Sequence, residues 1–152
     1  MKGGRIVQRE KVKGRQQCLF VPVAFSYKHV TTTTGTIKFD KKIVDNTNSF
    51  VTSTGVYHVP VSGAFYCLFL FPGTYYFGWT LIRSSTSDSH IRVDGAQVSG
   101  GTFGNGNYGS VAGSTVVELE EGQQVTLFVA SGTIYEDSAE RDMLSGFLLF
   151  TE

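Results

Sequence analysis

Apolar and polar positions alternate with a period of two along much of the chain. Val21, Val23, Phe25 and Tyr27 alternate with Pro22, Ala24 and Ser26, which predicts a strand with one buried face. A threonine run at 31–34 ending in Gly35 reads as a turn, and 37–39 as a short strand. Ile43-Val44 precedes Asp45-Asn46-Thr47-Asn48-Ser49, whose side chains cap and turn the backbone. Residues 55–60 read as a strand closed by Pro60. Residues 90–93 form a strand before the turn Asp94-Gly95. Residues 115–119 and the alternating segment 125–130 predict two strands joined by the turn Glu120-Glu121-Gly122. No helical period lasts beyond one turn. About eight to ten strands with turns every ~8–12 residues predict an all-β sandwich or jelly roll.

Three segments break the rule of one apolar face. Residues 64–71 are apolar throughout. In 75–82, Phe77, Trp79 and Leu81 take one face and Tyr76, Thr80 and Ile82 the other. Residues 144–150 are apolar on both faces as well. Pro72-Gly73-Thr74 predicts a hairpin between the first two. An antiparallel sandwich normally wets the outer face of each sheet. Strands apolar on both faces therefore call for cover by another chain, or locally by a long loop, and the first reading makes the protein an obligate oligomer. Residues 59–82 hold no Asp, Glu, Lys or Arg, but Pro60, Gly63, Pro72 and Gly73 argue against a membrane-spanning helix there.

Composition supports the strand reading. The chain has 152 residues, enough for one domain with a substantial core. Gly, Thr, Ser, Val, Phe and Tyr prevail, and the 20 aromatics and 41% hydrophobic content exclude global disorder. The net charge is zero, but it is unevenly spread. Residues 1–15 carry six basic residues against Glu10, a net +5, and the rest carries −5. Residues 1–19 are thus a basic arm ahead of a domain at 20–152. The arm either seeks anions or is a solvated terminus, native or added. It contains no apolar run, so a secreted protein would have lost its signal segment. Cys18 follows the arm, and Cys67 sits in an apolar run as a small hydrophobe. A Cys18–Cys67 disulfide and a Cys18 bridge between chains both stay open.

Catalytic signatures are lacking. Gly104-Asn105-Gly106-Asn107-Tyr108-Gly109 matches a dinucleotide-binding spacing, but no helix follows to meet a pyrophosphate, so it reads as a loop. His29, His58 and His90 fall in no metal or nucleophile motif and read as surface or loop residues. Glu136, Asp137, Glu140 and Asp142 crowd one loop, either as a calcium cluster or as a solvated acidic loop interleaved with Arg141. No cofactor is expected, calcium at this loop being the open alternative, and no nucleic-acid partner.

Several blocks follow one family pattern. They are Val23-Ala24-Phe25-Ser26, then 39–46, then 54–66 with its Gly-x-aromatic-x-x-Pro-x-x-Gly-x-aromatic core, then 116–125 and 144–149. In this order they resemble the globular head of the C1q family, within the C1q/tumour necrosis factor superfamily. The resemblance implies a ten-stranded antiparallel jelly roll that assembles as a homotrimer. It also implies secretion and extracellular, non-catalytic recognition of microbial glycan, lipopolysaccharide or polyanionic surfaces, or signalling through a protein receptor. Candidate ligand residues are Asn105, Asn107, Tyr108, Glu136, Asp137 and Arg141. Candidate trimer contacts are Phe25, Tyr27, Phe69, Phe71, Tyr76, Phe147 and Leu149. Departures from the pattern are Cys67 in place of an aromatic and Met143-Leu144 in place of Thr-Phe. No Gly-X-Y stalk precedes the domain in this sequence. Some family heads bind calcium at the trimer apex through Asp in the loop before the late hairpin. Loop 100–113 has no Asp or Glu, so that site is expected to be missing.

Overall fold

The computed structural model describes residues 23–60, 73–106 and 108–151. Among them are twelve strands and no helix. The strands are β1 (Ala24–Val30), β2 (Gly35–Thr36), β3 (Phe39–Asp45), β4 (Phe50–Val51), β5 (Val56–His58), β6 (Gly73–Arg83), β7 (Ser87–Val93), β8 (Ala96–Gln97), β9 (Thr102–Gly104), β10 (Gly109–Leu119), β11 (Gln124–Ser131) and β12 (Met143–Thr151). They form two antiparallel sheets. One runs β10-β6-β12-β1-β3, and the other runs β4-β5-β11-β7-β8, with β2 on β11 and β9 on β7. The count exceeds ten because β2, β4 and β8 are two-residue pieces.

Period-two alternation places the core between the sheets. In β6, Tyr75, Phe77, Trp79 and Leu81 point inward and are buried, while Tyr76, Thr80 and Ile82 are half-buried on the outer face. Phe25 of the first sheet stacks on Tyr57 of the second at 4.2 Å between ring centroids. Phe50 joins them, 4.5 Å from Tyr27. Asp45 anchors the turn beneath. Its Oδ2 accepts from the Tyr27 hydroxyl and the Phe50 amide, each at 2.9 Å, and its Oδ1 from the Ser49 amide at 3.0 Å. Burial, reinforced by Asp45, raises the Tyr27 phenol pKa to about 12.

Several expectations are corrected. Ile37 and Lys38 lie between β2 and β3, and Phe39 opens β3 instead of closing a short strand at 37–39. The hairpin expected across 72–74 depends on residues outside the described ones; from Gly73 onward β6 pairs with β10 on one edge and β12 on the other. Residues 109–114, read as loop, are the first half of β10. Gly113 is needed there because a Cβ would sit 2.5 Å from Cζ2 of Trp79. His90 is buried in β7, not exposed. Its Nε2 accepts from Arg92 Nε at 2.9 Å. The turn at Asp94-Gly95 is as expected, with φ of 50° and 85°, the primed-turn conformation that matches strand twist. Residues 64–71, both cysteines and the basic arm fall outside the described residues. No helix among the described residues is long and apolar enough to cross a membrane.

Candidate functional site

Strand polarity gathers four loops at one end of the sandwich. β1 ends at Val30, β6 ends at Arg83, and β10 and β12 begin at Gly109 and Met143. Register fixes these ends together, since Arg83 faces Gly109 and Met143 faces both Thr80 and Lys28. In the second sheet β7 begins and β11 ends at the same place, Asp88 facing Ser131. The connections 31–34, 84–86, 105–108 and 132–142 therefore share this distal end.

Two of these loops touch through aromatic rings. Tyr108, 69% exposed, meets Tyr135 edge to face at 5.8 Å. Asn105 is exposed, and its Oδ1 accepts from the Thr86 hydroxyl at 3.3 Å. Asn107 lies outside the described residues. Beneath the loop runs Arg83, which sequence reading passed over. Its side chain is buried and donates through Nη1 to the Gly106 carbonyl. A Cβ at Gly104 would collide with the guanidinium, and one at Gly109 would lie 2.6 Å from it. The glycine spacing that imitates a nucleotide motif is thus a bed for an arginine. No local signal could show this, because Arg83 lies some twenty residues upstream.

The acidic loop is not a solvated run. Glu136 and Asp137 are half-buried and Asp142 is 0% exposed. Glu136 Oε1 accepts from the Val30 amide at 2.9 Å, and Asp142 Oδ1 from the Ile82 amide at 2.6 Å. Asp137 holds the exposed Arg141 through its amide, at 3.1 Å, and its guanidinium, at 2.8 Å. Glu140 pairs with Lys28 at 2.9 Å and with Lys41. These two ammonium groups hold its carboxyl down at about 2, Lys41 having the larger effect. Burial pushes the Asp142 carboxyl the other way, up to about 7, with the charges of Glu136 and Asp137 adding to it. The Ile82 amide only partly offsets that rise.

The expected trimer contacts divide. Phe25 and Tyr27 are 2% and 3% exposed inside the protomer's own core, so they are corrected to core residues. Phe69 and Phe71 lie outside the described residues. Tyr76 and Phe147 lie on the outer face of the first sheet with ring centroids 5.1 Å apart, and Leu149 is half-buried near the end of β12. Register sets Val116, Tyr76, Phe147 and Ala24 in one row across β10, β6, β12 and β1. Val116 is 58% and Phe147 42% exposed. Beside the row runs a groove of about 460 Å³ floored by Gly78, Ala112, Ser114 and Ser145.

Two sheets closed on an aromatic core, loops gathered at one end and an apolar row on one outer face define a jelly-roll domain of the C1q/tumour necrosis factor type. The chain belongs to the C1q domain family, which it matches over residues 22–149. No curated protein matches the chain. Among solved structures it is similar to the globular domain of zebrafish complement 1qA, at 20% identity and a TM-score of 0.64, covering 87% of this chain and all of that one. It is also similar to murine APRIL at pH 5.0, with 11% identity and a TM-score of 0.63 over 85% of this chain and all of that one. At such identities the likeness is one of fold. Proteins of the C1q family are generally non-catalytic and typically secreted, and such domains typically trimerise and bind ligands or receptors.

Proposed function

We propose that this chain is a secreted, non-catalytic recognition domain that works as a homotrimer. Its distal loops bind microbial or polyanionic surface ligands, such as glycan or lipopolysaccharide, in innate immunity. The observation that carries the reading is the outward row of exposed Val116, half-buried Tyr76 and exposed Phe147, which runs over three adjacent strands. A ridge of this kind beside a groove floored by small residues suits packing against sister subunits. Threefold assembly would set three copies of the distal loops side by side. Avidity then raises weak single-site binding by about 10²–10⁴-fold.

At the distal end, Tyr108 offers an exposed ring to stack on a sugar face, while Asn105 and Arg141 offer hydrogen-bond donors at the surface. Asn107 completes the candidate set on the same loop. Glu136 and Asp137 have oxygens committed within the protein and act mainly by holding the loops in place. Binding of the assembled protein to a glycan array and to lipopolysaccharide tests the reading. Saturable binding that Tyr108→Ala weakens by about tenfold is the expected result, near the loss of one stacking contact. Absence of binding to every glycan at high avidity would remove the lectin reading.

A second reading, a signalling ligand for a cell-surface protein, is favoured by one feature. Phe103 on the short strand β9 is 66% exposed, an aromatic anchor of the kind that protein interfaces bury. Capture of a cell-surface protein at nanomolar affinity, lost in Phe103→Ala and kept in Tyr108→Ala, would favour it over glycan binding.

A further inference from the structure

We propose that Glu136, Asp137 and Asp142 form a divalent-cation site suited to calcium, built within one protomer. One ligand oxygen from each lies within 4.8 Å of the other two. The proposal does not rest on the cluster of acids alone. Asp142 is wholly buried, and among the described residues its Oδ2 meets no N–H or hydroxyl donor; it can pair with the Glu136 carboxyl only when the two share a proton. Glu136 Oε2 is also buried and likewise meets no N–H or hydroxyl donor among the described residues. The second oxygen of each carboxylate is already bound to a backbone amide, from Ile82 and from Val30. The amides thus fix both carboxyls and leave one free oxygen on each.

A buried carboxylate oxygen without a donor is costly, and two near one another are more so. The side chains nearby do not relieve them. Lys28 and Lys41 are engaged by Glu140, and Arg141 bonds to Asp137. A proton or a metal cation must stand in for the missing positive charge. The donor set is oxygen only, with neither histidine nor cysteine in the group, which disfavours zinc and copper. Three carboxylates in irregular array, with waters and carbonyls to complete six to eight ligands, suit calcium better than the strict octahedron of magnesium. Asp137, half-buried and tied to the exposed Arg141, gives the way in from solvent.

The site differs from the apical one that the family resemblance brings to mind, whose loop at 100–113 carries no carboxylate. Its effect would be mechanical. A cation held here ties the end of β1, the end of β6 and the start of β12 into one unit. That unit carries Tyr135, on which Tyr108 packs.

Calorimetric titration of the chelator-stripped full chain with calcium chloride, with a melting curve at each concentration, tests the proposal. Saturable binding of one ion per chain is expected, with Kd of about 10⁻⁴–10⁻³ M, the range of extracellular modules. Tm should rise with calcium and less with magnesium. In Asp142→Asn the new amide can donate to Glu136 Oε2, so this variant should melt no lower than the parent in chelator. It should bind calcium at least about tenfold more weakly. Glu136→Gln gives the same reading should Asp142→Asn fail to fold. No saturable heat and no Tm shift in the parent would mean that a shared proton fills the gap, and the proposal falls. Parental affinity kept in the variants would also overturn it.

Discussion

Asp45 and Asp142 are both buried acids, yet their surroundings give them opposite characters. Asp45 accepts from Tyr27, Ser49 and Phe50, so both of its oxygens are satisfied. Asp142 accepts from Ile82, and its other oxygen meets no donor among the described residues. Residue identity announces neither, because both depend on amides that the fold delivers. The turn role of Asp45 was legible in the run of capping residues at 45–49, whereas the burial of Asp142 depends on the end of β6, sixty positions away. The burial of His90 is hidden for a related reason, since Phe128 packs on it from the neighbouring strand while Arg92, two residues along β7, bonds its ring. Burial first, then the charge of Arg92, hold the His90 imidazole below its ordinary 6.5. The unfolded chain therefore takes up this proton at higher pH than the folded one, so the His90 contribution to stability falls as pH drops below 6.5, whereas that of Asp142, raised to about 7, grows over the same range. The Glu140 contribution has the same sign as that of His90 and begins lower, between 4.5 and about 2. In His90→Gln, Tm relative to the parent should rise as pH falls from 6.5 to 4.5, as melting curves of both across that range would show. An unchanged slope would mean that the ring does not titrate as described.

At the scale of elements, strands with plain alternation were readable and strands shaped by distant partners were not. β11 and the inward face of β6 carry a clean period of two, and β7 does so except at the buried His90. The first half of β10 is made of small residues, because Trp79 and Arg83 of the neighbouring strand occupy the space their side chains would fill. Sequence shows small residues and cannot show what crowds them. β12 shows the same close fit. A Cβ on Gly146 would lie 2.5 Å from Cε1 of Phe25 and 2.8 Å from Cδ1 of Phe77. Gly146→Ala should lower stability by about 1–3 kcal/mol through overpacking, read by urea denaturation. A change within about 0.5 kcal/mol would show that the strand shifts freely.

For the whole molecule, the two-sheet architecture and the outward aromatic surface were both legible, because apolar positions on both faces of a strand need no partner to be noticed. The candidate ligand residues were less so. Tyr108 and the acidic loop do share the distal end, but the buried Arg83 and the cradle it requires come only from tertiary packing. What organises the molecule is its first sheet, one face making the core and the other carrying Val116, Tyr76 and Phe147. We propose that sister subunits cover that second face, and that the distal loops act together because of it. Sedimentation of the full chain at micromolar concentration measures this most directly. The expected result is a species of three times the 16.6 kDa chain mass, which Phe147→Asp converts to single chains that keep their β-sheet spectrum. A parent protein that sediments as one folded 16.6 kDa chain would contradict the account.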